Sequence, residues 1–330
     1  MSSRVAIVMY HFVRDPARSR FPAIKGLSVE AFRGQLAYLR RHHQIVTMEH
    51  VLDALENGGA GLPPRAVLLT FDDGYADHYR HVFPILDESG LQGSFFPPAC
   101  AVLEDRVLDV NKIHFVLAAR SDPADLLPSV LAAVDERRER FGLRPGADYW
   151  AEFDEASRYD SREVTFIKRL LQKILPEAAR AEIVDALFRG HVTTDERAFA
   201  RELYVDLDEL KCMRRHGMYV GSHGHSHVWL DASDRATQER EVRLGVEFLR
   251  RVDPGLKRWV MCYPYGGYDA SIVGVLREHG CAAGLSVDVA VADLDRDDPL
   301  VLPRLDTNDL PHDGSAPRSE WTVAMGEPRP

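Results

Sequence analysis

Short apolar runs alternate with stretches of helical periodicity along most of the chain. Val5 to Tyr10 predicts a buried strand. Ser28 reads as an N-cap, with Phe32, Leu36 and Leu39 on one face of the helix it opens. AVLLTF at 66–71 predicts a second buried strand. The helix after it carries Val82, Ile85 and Leu86 and stops at Gly90, and Pro84 inside that pattern predicts a kink or a shortened helix. GSFFP at 93–97 is a third strand.

From about 104 to 205 the strand rhythm is replaced by Ala, Leu, Arg and Glu at helical spacing. Ser161 caps one helix there, with Ile167, Leu170, Leu171 and Ile174 in register, and Pro176 suits the start of the next. This stretch predicts a helical insertion at 104–205 inside a single domain spanning 1–330. Strand rhythm then returns. Asp206 and Glu209 have capping-box spacing, and Gly217 ends that helix. MYVGS (218–222), WVMCY (259–263), CAAGLSV and LVLPRL follow as strands, with helices over roughly 234–252 and from Asp269 to Gly280. Repeated strand–helix units imply an α/β fold with parallel strands and outer helices, and an open sheet and a closed barrel both fit. Residues 311–330, rich in Pro, Gly and Ser, predict a mobile tail.

Composition narrows the function classes. The 330 residues hold 41 Lys and Arg against 51 Asp and Glu, a formal charge of −10. No basic run or basic stripe with interleaved aromatics is present, so nucleic acid is not an expected partner. No apolar run approaches the ~20 residues that span a bilayer. MSSRVAIVMYHFVRD reaches His11 too soon for a signal peptide and reads as a strand, so the expected location is cytoplasmic. Cys100, Cys212, Cys262 and Cys281 are scattered, which fits reduced thiols.

The chemistry collects just after the predicted strands. His11 follows the first, Asp72 and Asp73 end AVLLTF, His223 follows MYVGS, Tyr265 follows WVMCY, and Arg304 closes LVLPRL. In parallel α/β folds the carboxyl ends of the strands form one face, where active sites sit. Two adjacent carboxylates in TFDDGYAD will point different ways, one toward a cation and the other free as a base. The competing reading is an Asp-Gly turn with a helix cap. GSHGHSH places His223, His225 and His227 within five positions. On a helical turn His223 and His227 share a face; on an extended strand all three do, and spacing alone leaves both open. A solvated loop is the bland alternative. Two His plus an Asp from another strand end form an open three-ligand set that suits catalytic zinc, and ferrous iron or cobalt as well.

These residues resemble the polysaccharide deacetylases of the NodB-homology type, carbohydrate esterase family 4. TFDDG at 70–74, SHGHSH at 222–227 and YPYG at 263–266 carry the resemblance, with MYHFV and LPRLD similar to one branch. It covers about 1–100 and 205–310 and leaves the helical insertion outside. The resemblance implies a distorted (β/α) barrel with fewer than eight strands. It implies Asp73, His223 and His227 as metal ligands, with His225 pointing away or supporting them, and Asp72 as the base acting on metal-bound water. The Tyr265 N–H is implied as an oxyanion donor. Many members carry an Arg two residues before the Pro of the third motif to tether the base. This chain has Cys262 there, a buried inert thiol by expectation, so Arg304 is expected to supply the tether. His11, on the rim, is the first choice for the general acid, with His312, in the tail, as the alternative; a satisfied core histidine is the competing reading of His11.

The implied activity is removal of an N-acetyl group from a nucleotide-linked, lipid-linked or small glycosidic sugar, with Trp229 and Tyr268 placed to stack on a sugar face. Hydrolysis of another C–N amide, such as a formamide or cyclic ureide, and a binding protein with an inactive site are the rivals. Intact Asp73, His223 and His227 favour the metal route.

Overall fold

The computed structural model describes residues 2–153 and 160–325. Nine strands are present among them: β1 Arg4–Tyr10, β2 Gln44–Ile45, β3 Ala66–Asp72, β4 Ser94–Phe96, β5 Tyr219–Val220, β6 Trp259–Cys262, β7 Cys281–Leu285, β8 Ala292–Asp293 and β9 Leu305–Asp306. The helices are α1 Val29–His42, α2 Met48–Glu56, α3 Phe83–Glu88, α4 Ala99–Leu103, α5 Asp109–Ala118, α6 Leu127–Phe141, α7 Gly146–Phe153, α8 Arg162–Arg169, α9 Glu177–His191, α10 Glu196–Leu203, α11 Leu207–Arg215, α12 Arg235–Val252, α13 Ala270–Glu278 and α14 Glu320–Ala324. The chain divides into two compact units, one made of 1–15, 26–104 and 201–330, the other of 16–25 and 105–200.

In the first unit the parallel pairings run β1–β3–β4–β5. A bridge from Ser222 to Met261 carries the ladder to β6, which pairs with β7, and a bridge from Leu285 to Leu302 leads on to β9, which returns to β1. Seven segments thus make a ring whose carboxyl ends share one rim. β8 adds antiparallel to the start of β1.

Alternation along β3 decides which side chains enter the ring. Val67, Leu69 and Phe71 face the cluster built with α1, α11, α12 and α13. Ala66 and Leu68 join Val5, Ile7, Phe96, Val260, Cys262, Ala283, Leu285 and Leu302, a cluster to which nearly every segment contributes and onto which α2 packs. The two-residue period of a strand therefore puts Thr70 and Asp72 on the inner side, at the rim. On the outer side the register sets Phe71 beside Tyr10 and Phe95, and the rings stack at 4.9 and 4.8 Å.

Ser28, Ser161 and Asp206 cap α1, α8 and α11, and Asp206 with Glu209 completes its capping box. A π-type turn at His78–Val82 runs into α3, so Pro84 falls in the first turn of a helix, where its missing N–H is harmless. MYVGS yields only the two residues of β5 and the Ser222 bridge. LVLPRL is a 3-10 turn (Pro299–Val301) followed by Leu302 and β9.

Residues 311–325 do not form the free tail that their composition predicts. Thr322 lies 2.8 Å from the Tyr38 hydroxyl and 2.9 Å from His43 Nε2, and Arg4 Nη1 donates to the Ala324 carbonyl. An added Cβ on Gly34 would fall 2.1 Å from the His312 carbonyl oxygen, so only glycine lets this segment seat on α1. Residues 326–330, the rest of that predicted tail, lie outside the described residues.

The second unit is helical, with no strand among its described residues. In its core Phe199 packs edge-to-face against both Phe115 and Phe188, and Lys112 is buried between Asp185 and Glu196.

Candidate active site

β3 ends in a reversal. Asp73 and Gly74 both take left-handed backbone (φ 70 and 66), and a Cβ on Gly74 would lie 2.5 Å from that of Pro97. Asp is among the few residues that accept this conformation readily. The reversal sends the two carboxylates apart, one into the ring and one across the rim.

Asp73 Oδ2 accepts the Tyr75 hydroxyl at 2.6 Å, and Oδ1 is buried with no hydrogen-bond donor among the described residues. His223 Nε2 lies 3.4 Å from that oxygen and His227 Nε2 3.3 Å from it. His223 Nδ1 is 2.7 Å from the Cys262 carbonyl. A carbonyl can only accept, so Nδ1 carries the proton and Nε2 presents its lone pair. All three side chains are buried. Two imidazole nitrogens and a carboxylate oxygen converging on one point, with the oxygen lacking any donor, fit a divalent cation. Burial pushes the Asp73 carboxyl up, but His223 and His227, when they carry a second proton in place of a cation, outweigh this and hold it well below the usual range.

Asp72 points inward and meets Arg304. Nη1 and Nη2 reach Oδ1 and Oδ2 at 3.0 and 2.8 Å, and both side chains are fully buried. Arg304 is fixed in turn: Nε donates to the Ser286 carbonyl and Nη1 approaches Thr70 Oγ1. Burial alone would raise the Asp72 carboxyl. Arg304 foremost, with His223 and His11, lowers it to about 2. Cys262 is not isolated, because its thiol donates to Asp72 Oδ2 at 3.3 Å; burial pushes that thiol up, so it stays protonated.

The remaining predicted residues divide. His11 is exposed, so it is no core histidine, and His78 Nε2 bonds its carbonyl oxygen at 2.8 Å. His312 turns its ring to the Thr307 carbonyl at 3.1 Å. His225 faces away from Asp73, with Nε2 3.1 Å from Glu104. Tyr265 is left-handed (φ 57), and its ring lies parallel to Trp229 at 4.4 Å and 4.5 Å from His227. One face of Trp229 is therefore taken by protein, and the Tyr268 hydroxyl is bound to Asp288. Among the described residues, three of the five non-glycine residues with positive φ, Asp73, His227 and Tyr265, belong to this site. Such strain persists only where the surroundings impose it.

Sequence reasoning missed Tyr75 and Glu241. The Tyr75 ring stacks on Phe12 at 3.7 Å while its hydroxyl orients Asp73. Tyr75 lies in TFDDGYAD itself, two residues beyond Asp73, and that proximity was the available signal.

Residues 59–105 and 181–284 match the polysaccharide deacetylase family, and these stretches hold Asp72, Asp73, His223, His227 and Tyr265. The chain is similar to this family over the stretches that carry most of the site. His11 and Arg304 fall outside the matched residues. Poly-β-1,6-N-acetyl-D-glucosamine N-deacetylase of Escherichia coli (strain K12) is 41% identical over 83 residues, which are 25% of this chain and 12% of that protein. The chain thus matches about an eighth of the length of that relative. Among solved deacetylase structures, the Streptococcus pyogenes deacetylase PplD, determined with acetate, aligns at a TM-score of 0.57 and 15% identity over 99% of this chain and 100% of that one. IcaB from Ammonifex degensii aligns at 0.56 and 19% identity over 98% and 97%. These establish the deacetylase fold.

Proposed function

We propose that the protein is a metal-dependent hydrolase that removes the N-acetyl group from an N-acetylated sugar. The observation that carries this is two adjacent carboxylates placed in different environments at one strand end: Asp73 beside His223 and His227, and Asp72 clamped by Arg304. Asp73, His223 and His227 would hold the cation, with zinc the best fit and cobalt or ferrous iron next. A bound divalent cation supplies Lewis acidity toward water and the acetyl carbonyl.

The chain's own groups do the rest. Asp72 is ionised at neutral pH and takes a proton from the attacking water, with Arg304 fixing its direction. The Tyr265 N–H donates to the carbonyl oxygen as negative charge grows there, a kind of contact worth about 3 kcal/mol. His11, exposed at the rim, protonates the departing amine. Water adds across the C–N bond, giving acetate and a free amino sugar. The named substrate of the Escherichia coli relative supports N-acetylglucosamine as the sugar unit.

Acetate release by the zinc-loaded protein tests the reading, with β-1,6-linked N-acetylglucosamine oligomers, a nucleotide-linked N-acetyl sugar and a simple N-acetyl glycoside as substrates. Release from at least one of them, abolished by Asp72→Asn, is expected. Formate release or ring opening without acetate would move the assignment to another amide. No turnover of any substrate with zinc, cobalt or iron would contradict it.

A further inference from the structure

The loop that carries His223 and His227 is shaped by a helix far along the chain. Glu241 on α12 is fully buried, and its Oε2 accepts two successive N–H groups of that loop, from His225 at 2.8 Å and Ser226 at 2.7 Å. Successive N–H groups converging on one point form an anion-binding nest, and here the protein's own carboxylate fills it. The Arg240 guanidinium stands 3.6 Å from the other oxygen, Oε1. The nest exists because the loop reverses at Gly224 (φ 71) and His227 (φ 57). Ser222 Oγ accepts the Gly224 N–H, and the amides of Ala99 and Cys100 bond the Gly224 and His225 carbonyls.

Gly245, one helical turn after Glu241, explains how α12 comes so near. A Cβ there would fall 2.6 Å from Ser222 Oγ and 3.7 Å from the Gly224 carbonyl group. Residues four apart share a helix face. The pair in EVRLG (241–245) therefore gives one face that approaches the loop at Gly245 and holds it at Glu241.

We propose that Glu241 is a positioning residue for the metal centre: its carboxylate holds loop 223–227 in the conformation that aims His223 and His227 at Asp73. This rests on the reading of those three residues as cation ligands. Among the described residues the hydrogen bonds of Glu241 go to the loop backbone at His225 and Ser226, with Arg240 beside its other oxygen, so its effect on the two imidazoles passes through backbone shape.

The test measures zinc affinity of the folded full-length chain by competition with a chromophoric chelator, beside the Tm of the zinc-free protein. The variants are Glu241→Ala, Glu241→Gln, Gly245→Ala and Asp73→Ala. Glu241→Ala should weaken zinc binding by roughly 10–100-fold, as loss of a supporting partner does. Glu241→Gln, which keeps one acceptor oxygen, should recover most of the affinity. A role confined to packing would lower the Tm and leave the zinc affinity unmoved. Wild-type affinity in folded Glu241→Ala overturns the proposal. Should Glu241→Ala not fold, Gly245→Ala decides, with weaker zinc binding in support and unchanged binding against. Equal zinc binding by wild type and Asp73→Ala would instead remove the ligand reading, and this proposal with it.

Discussion

Asp72 and Asp73 are identical in chemistry and adjacent in sequence, yet the structure makes them opposites. One is locked to a guanidinium inside the ring, and the other shows a donor-free oxygen to two imidazoles. Asp72→Asn leaves Asp73, His223 and His227 in place and should keep the metal while lowering kcat by roughly 10²–10⁴-fold, the usual span for losing a general base; metal content and kcat measured together check this. Arg304→Met leaves a buried carboxylate unpaired. The variant should lose about 3–5 kcal/mol of stability in urea denaturation, and its kcat should fall as well. A loss under 1 kcal/mol would mean that Asp72 finds another partner. The two histidines once in contention for the acid also separate. His11→Ala should lower kcat with little change in KM, whereas His312→Ala, whose ring serves the Thr307 carbonyl, should leave kcat at the wild-type value. The reverse pattern would reassign the acid.

Among the elements, α14 is held on α1 through Thr322, Tyr38 and His43. Burial lowers the His43 imidazole to about 4 from its ordinary 6.5. Between those values the unfolded chain binds the proton and the folded chain resists it, so stability falls as pH drops from 6.5 toward 4, by about 3 kcal/mol in full. His43→Gln should flatten that slope, as read from urea midpoints at pH 7, 5.5 and 4.5; an unchanged slope would place the acid sensitivity elsewhere. This contact was invisible in the sequence, because Pro, Gly and Ser near the terminus carry no periodicity and the fit lies in tertiary detail at Gly34 and Thr322. The two-residue strands β2 and β8 were hidden for a similar reason: a pattern of period two needs more than two residues. What was legible was local. Ser28, Ser161 and Asp206 act on amides two or three positions ahead, and apolar runs betray buried strands. Arg304 was singled out because the sequence pattern put it at a strand end facing the site; in the structure it stands just ahead of β9 and still reaches Asp72. Glu241 was not, since a Glu on a heavily charged helix reads as surface until the rotation of that helix is known.

Over the molecule, one topological fact gathers the chemistry. Parallel segments around a ring bring the residues after β1, β3, β5, β6 and β7 to one rim, so His11, Asp73, His223, Tyr265 and the Ser286 carbonyl that steadies Arg304 come from distant parts of the chain. The gap in the family match, 106–180, falls within the helical unit and does not interrupt that ring. The account therefore stands on a cation held between strands that meet only in the folded protein. Elemental analysis of the purified wild type beside Asp73→Ala, both verified as folded, tests it most directly. A single zinc, cobalt or iron ion per chain in the wild type, absent from the variant, is the predicted result. Equal metal content in the two proteins, or none in either after reconstitution, would contradict it.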